Sequence, residues 1–196
     1  DKYKSEYDFL SDVSKNEKIA FQLDGFLFPA TYDWCENMNA SEVLSDMLSA
    51  FDSRYTDELK AKLKSSGYSI REVLSIASVI QKEALGNESL KNISSVFYNR
   101  LNSPDFPLLQ SDPTVAFAQK LKDNGFSEEV FSGYNTYKHS GIPVAPICNP
   151  GTKAIEAALN PSKTDYYYFV TDDEQKFYYA KTWSEHVENC KKAGLY

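Results

Sequence analysis

The chain is poor in the residues suited to metal or thiol chemistry, with three cysteines and two histidines among 196 residues. Cys35, Cys148 and Cys190 are odd in number, widely spaced and without a C-x-x-C pair. They supply neither a zinc site nor a disulfide framework, and ordinary buried or exposed cysteines are the reading for all three. His139 and His186 lie far apart, and no H-E-x-x-H occurs. No cluster with metal-ligand spacing is visible in these residues. Basic runs are absent too. A net charge of −7 and a pI near 4.9 argue against a nucleic-acid backbone as partner, while leaving room for a neutral or locally anionic polymer. No apolar run reaches the roughly 18 residues that would span a membrane, and no signal peptide is visible. The chain opens at Asp1 without Met, as a fragment of a longer protein would, and an anchor upstream of residue 1 stays open.

What is present is a globular composition, 42% hydrophobic and 14% aromatic, with 14 Tyr and 12 Phe. A Tyr-rich surface suits sugar or peptide binding, although most of these rings are assigned to the core. The most informative stretch is residues 76–83, IASVIQKE. At about 100° per residue, Val79, Ile80 and Glu83 fall within roughly 60° of Ile76, while Gln81 and Lys82 point elsewhere. Glu83 thus ends an apolar helix face that should meet the core. Burial raises a carboxyl pKa, because the charged form loses hydration, and a nearby helix C-terminus disfavours the anion as well. A carboxyl group that keeps its proton near neutral pH is what a general acid requires. The competing reading is a helix-end glutamate that escapes to water.

Along the chain, residues 5–14 are predicted as a short helix burying Phe9, Leu10 and Val13. Residues 23–32 (LDGFLFPATY) mix aromatics with Gly and Pro and are predicted as an extended, packed loop. Ser41 is predicted to cap a long scaffold helix over 41–64. Ser69-x-x-Glu72 matches a capping box, opening a helix from 70 to about 85 that Gly86 stops. Asn87 or Ser89 opens the next helix, which runs through Leu101. Asp112-Pro113 reads as an N-cap followed by Pro at the first helical position, with the helix running to about 121. Residues 122–150 lack long periodic segments, and 141–151 (GIPVAPICNPG) form an ordered, irregular loop of the kind that often carries function. A short helix over 152–159, a hairpin pairing 166–170 with 176–180, and a last helix over 182–193 complete the pattern. The fold class is α+β, mostly helical with a small antiparallel sheet or hairpin.

Eight stretches in this order resemble one family: LDGFLFPATY (23–32), ASVIQKE (77–83), VFYNRL (96–101), LQSDPTV (109–115), YNTY (134–137), GIPVAPICNPG (141–151), AIEAALNP (154–161) and DYYYFV (165–170). Together they are similar to the MltG, or YceG-like, family of endolytic murein transglycosylases. The resemblance covers about residues 21–190, and the whole of 1–196 reads as a single catalytic domain. It implies cleavage of MurNAc–GlcNAc β-1,4 bonds within peptidoglycan glycan strands, leaving 1,6-anhydro-MurNAc ends, by chemistry that requires no metal and no organic cofactor. The family's V-E-K-E stretch appears here as Ile80-Gln81-Lys82-Glu83, so its essential acid maps to Glu83. Its L-E-G-Y pattern becomes Leu23-Asp24-Gly25-Phe26, which leaves the role of an acid at 24 open.

The resemblance also implies polar residues that hold N-acetyl and hydroxyl groups, for which Gln110, Asp112, Asn135, Tyr137 and Asn149 are the candidates. Each has a structural alternative: Asp112 as a cap, Asn135 as a loop brace, Asn149 as a turn residue before Pro150. Two further readings stay open, a non-catalytic glycan-binding or scaffold module and a two-carboxylate glycosidase with Asp112 as the partner of Glu83. Family members carry an N-terminal membrane anchor and a LysM-like subdomain, neither of which is visible in this chain. The expected setting is the extracytoplasmic face of the bacterial cell membrane, beside proteins of cell-wall synthesis.

Overall fold

The computed structural model describes residues 2–11, 13, 15–84 and 89–195. Its helices are α1 (Ala40–Asp52), α2 (Asp57–Ser66), α3 (Ile70–Glu83), α4 (Leu90–Leu101), α5 (Asp112–Asp123), α6 (Glu128–Phe131), α7 (Thr152–Leu159) and α8 (Trp183–Lys192). Strands β1 (Tyr168–Thr171) and β2 (Phe177–Ala180) form an antiparallel hairpin with Val170 opposite Tyr178. The α+β expectation holds.

α3 is the centre of the domain. Val73 through Ile80 are buried without interruption, and α4, α5 and α7 pack around the helix. An amphipathic stripe would leave one face wet, whereas this helix is enclosed over two turns. Its two buried serines use their hydroxyls on backbone carbonyls, Ser75 Oγ on Arg71 at 2.8 Å and Ser78 Oγ on Ser75 at 2.7 Å. Ser78 Oγ also accepts from the Ile147 amide at 3.0 Å, which ties the 141–151 loop to α3. The expected capping box starts the helix: Ser69 Oγ accepts from Glu72 N, and Glu72 Oε2 accepts from Ser69 N. The helix ends at Glu83, where Ala84 turns extended with ψ 128°. The predicted stop at Gly86 and the alternative start at Asn87 lie outside the described residues.

Four local expectations change. The single helix over 41–64 is two helices, because Thr56 accepts from Leu59 N and starts a second one. Asn39, not Ser41, caps the first, within a capping box closed by Glu42. Residues 5–14 form 3₁₀ turns at Lys2–Ser5 and Asp8–Leu10, although Phe9, Leu10 and Val13 are buried as expected (residues 12 and 14 lie outside the described set). In the fourth, Ser111 occupies the N-cap position of α5, so Asp112 is the first helical residue and Pro113 the second.

The 23–32 segment is the predicted packed loop, with Phe26 and Phe28 buried in the core. Gly25 sits at φ +90°, and a Cβ there would lie 2.5 Å from Pro146 Cγ. Both the left-handed backbone and the close approach demand glycine. Gly25→Ala should lower stability by about 2 kcal/mol, read as a reduced urea midpoint. An unchanged midpoint would contradict this packing.

Next to it, burial lifts the Asp24 carboxyl from 3.8 to about 6, against the attraction of Arg71. Folded Asp24 therefore binds its proton more tightly than unfolded Asp24. Its contribution to stability falls as pH rises from about 4 to about 6. Asp24→Asn should be more stable than wild type at pH 7, with the advantage shrinking toward pH 4. A stability difference that does not vary with pH would refute this.

Candidate active site

Glu83 is delivered by the end of α3 to a site made by segments distant in sequence. Gln81 and Lys82 are exposed while Glu83 is half-buried, as the helical wheel requires. Ser111 Oγ donates to Glu83 Oε1 at 2.6 Å. Burial raises the Glu83 pKa; the Ser111 hydrogen bond opposes the rise, Asp112 adds to it through its negative charge, and Arg100 opposes it again. The negative end of the α3 dipole works in the same direction as burial.

Ser111 is placed by a strained segment. Gln110, which precedes it, has φ +54°, a left-handed conformation costing about 1–3 kcal/mol in a residue with a side chain. Backbone and hydroxyl bonds hold it there. Gln110 N donates to Thr136 O at 3.1 Å, and Ser111 N donates to Thr136 Oγ1 at 3.0 Å. Thr114 Oγ1 donates to Ser111 O at 2.6 Å and lies 2.8 Å from Thr136 Oγ1. Both threonines are fully buried. On the other side, the buried Arg100 guanidinium bonds the Leu109 and Tyr167 carbonyls. Ser111 therefore stands at an N-cap without capping α5, its hydroxyl being turned to Glu83.

The candidate residues separate by position. Asp112 and Tyr137 come together beside Glu83: Tyr137 Oη donates to Asp112 Oδ1 at 2.7 Å. Desolvation and this carboxylate push the Tyr137 hydroxyl up to about 12, and the Glu83 and Arg100 charges act on it too. Its ring is 43% exposed, so it stands at the mouth of the site. The Gln110 side chain is exposed, and its backbone is what positions Ser111. Asn135 braces its own loop, with Oδ1 accepting from Tyr137 N at 3.0 Å. Asn149 Oδ1 accepts from Gly25 N at 2.6 Å and fastens the 23–32 loop.

Ser111, Thr114, Thr136 and Arg100 escaped the sequence reading, although all four stand in the resembling stretches. Ser111 and Thr136 each lie between two residues that were chosen. Their signal is burial inside a polar loop, which single-residue polarity does not reveal. The departure at 81 has a simple account. Gln81 Oε1 accepts from Gly151 N, at the start of α7, at 3.2 Å, and a glutamate there would offer the same acceptor. Among the described residues no group of three His, Cys, Asp or Glu side chains could hold a metal, and all three cysteines are free.

The fold and site define a mainly helical domain that presents a half-buried carboxyl group at the end of its central helix. The chain belongs to the YceG-like family, whose profile matches residues 2–192. It is 38% identical over 181 residues to the endolytic murein transglycosylase of Bacillus subtilis, covering 90% of this chain and 49% of that protein. It is also 38% identical over 184 residues to the endolytic murein transglycosylase of Streptococcus pneumoniae D39, covering 89% of this chain and 33% of that one. The chain thus spans about half the length of one relative and a third of the other. A crystal structure of a yceG-like protein from Listeria monocytogenes superposes with TM-score 0.82 at 36% identity, covering 96% of this chain and 62% of that one.

The Ser111 bond yields a direct test. Because it favours the Glu83 anion, Ser111→Ala should move the Glu83 titration midpoint to higher pH, followed by carbon NMR of the side-chain carboxyl. A midpoint that stays in place or falls would remove Ser111 from the site's electrostatics.

Proposed function

We propose that this chain is the catalytic region of an endolytic peptidoglycan lytic transglycosylase, with Glu83 as general acid and then base. The observation that carries this reading is the half-buried Glu83 carboxyl, raised in pKa and held by Ser111 at the end of α3. The names of its relatives supply the substrate class. Protonated Glu83 gives its proton to the glycosidic oxygen as the bond to C1 of MurNAc breaks, and GlcNAc leaves with a free hydroxyl. The Glu83 carboxylate then takes the proton of the MurNAc C6 hydroxyl as that oxygen bonds to C1, closing the 1,6-anhydro ring. The acid is regenerated and no water is consumed.

An intramolecular attacker has a high effective molarity, on the order of 10⁵ M or more, so a second carboxylate to activate water is unnecessary. Asp112, fixed by the Tyr137 hydroxyl, supports positive charge developing at the anomeric carbon. Gln110 and Tyr137 are the side chains exposed to meet sugar groups, whereas Asn135 and Asn149 contribute by holding the loops. We place the reaction at the extracytoplasmic face of the bacterial cell membrane, beside the cell-wall synthesis proteins.

Digestion of purified peptidoglycan, with products weighed by mass spectrometry, tests the proposal. Wild type should yield anhydro ends, and Glu83→Gln should lose cleavage by a factor of at least about 10³ while keeping its unfolding midpoint. Undiminished cleavage by that variant would sink the acid assignment, and reducing ends from wild type would point to hydrolysis instead.

A further inference from the structure

Five large apolar side chains are exposed among the described residues: Phe21, Trp34, Tyr137, Trp183 and Leu195. Trp34 is occupied by its own chain, stacked on Tyr32 at 4.9 Å and bonded through Nε1 to Asp46. Trp183 is different. It is 60% exposed and is the first residue of α8, where the Thr182–Glu185 capping box fixes its backbone.

Beneath the indole lies a row of rings that leads to the candidate active site. Trp183 meets Tyr168 edge-on at 5.8 Å and His186 at 5.4 Å, and these two stack on one another at 5.1 Å. Tyr168 then meets Phe106 at 5.6 Å. The Arg100 guanidinium carbon lies 5.6 Å from the Tyr168 ring centre and 6.0 Å from that of Phe106. Arg100 bonds Leu109 O, two residues before Ser111, and its charge acts on both Glu83 and Tyr137. A chain of ring contacts therefore runs from the exposed indole to Arg100, whose charge acts on Glu83. Burial and the Arg100 charge lower the His186 imidazole pKa from its ordinary value.

We propose that Trp183 is a stacking platform for a saccharide ring of the bound glycan strand, at a subsite displaced from the bond that Glu83 cleaves. This rests on the reading of the site given above. The chemistry on both sides of the ring favours a sugar. A pyranose offers one flat apolar C–H face with polar groups around its edge. The indole offers a flat apolar surface, and its sequence neighbours Lys181, Thr182, Ser184 and Glu185 are all polar and exposed. A protein hot spot would need further apolar surface around the anchor, which these residues do not provide. Anchoring on beneath-lying rings also keeps the indole from moving when it is covered, which lowers the ordering cost of binding.

The test uses peptidoglycan digestion and direct binding together. Trp183→Ala should raise the substrate concentration for half-maximal rate about tenfold, the equivalent of 1.4 kcal/mol, while kcat changes little. Trp183→Phe should recover most of that loss, and products should keep their anhydro ends. Trp34→Phe leaves Trp183 as the sole indole of the chain's two. Titrating that variant with chitohexaose, a β-1,4-linked N-acetylglucosamine oligomer, should shift its fluorescence. Unmoved emission, together with wild-type digestion by Trp183→Ala, overturns the platform even if Glu83→Gln is inactive. Retained cleavage by Glu83→Gln overturns the acid assignment instead, and the fluorescence titration still decides the platform.

Discussion

A carboxyl group at the end of an enclosed helix is the constraint on which the site depends. α3 is buried through Ile80, so the water that would solvate a surface glutamate is largely excluded at Glu83. Stabilisation has to come from the protein, and the Ser111 hydroxyl supplies it. A hydrogen bond to a charged group contributes about 1.5–3 kcal/mol, similar to what the left-handed Gln110 backbone costs. The two effects nearly cancel, so that bond alone would not hold the strained geometry. It persists because Thr114, Thr136 and Arg100 add further bonds around residues 109–111. Those residues belong to α5, a loop and α4, and none touches Glu83 through sequence proximity.

This explains which parts of the protein could be read from the chain. Short-range signals were legible: the Ser69 capping box, the Thr152–Leu159 helix and the strand pair about residues 172–175. So was the placement of Glu83, because helical periodicity alone separates it from Gln81 and Lys82. The break between α1 and α2 was not. Its apolar spacing continues past Asp52, and only the Thr56 side-chain bond chooses a new start. At Ser111 the cap rule met a stronger competitor, since a buried carboxyl outbid the α5 amides for the hydroxyl. Local rules cannot anticipate a partner 28 positions away.

The two departures from the family pattern carry different physics. At position 81 the fold asks for an acceptor at the start of α7, and an amide oxygen meets that demand without a charge. Asp24 remains ionisable in a half-buried place, and its environment pushes it toward neutrality. Its neighbour Gly25 donates to Asn149 Oδ1, which joins the 23–32 segment to the 141–151 loop. Charge is thus tolerated at 24 and absent at 81, which leaves Glu83 as the one carboxylate of the 80–83 stretch.

A single group that first gives a proton and then takes one back needs a pKa that permits both. Burial and Asp112 push Glu83 toward the acid; Ser111 and Arg100 pull it toward the anion. A serine hydroxyl suits both states, because it can donate to a carboxylate and rotate to accept from a carboxylic acid. An arginine in direct contact would have fixed the anion and removed the acid. Here Arg100 spends its donors on the Leu109 and Tyr167 carbonyls and reaches Glu83 only through its field. In the proposed reaction that separation is what keeps one carboxyl usable in both directions, and it turns the same arginine into the link between the acid and the aromatic row under Trp183.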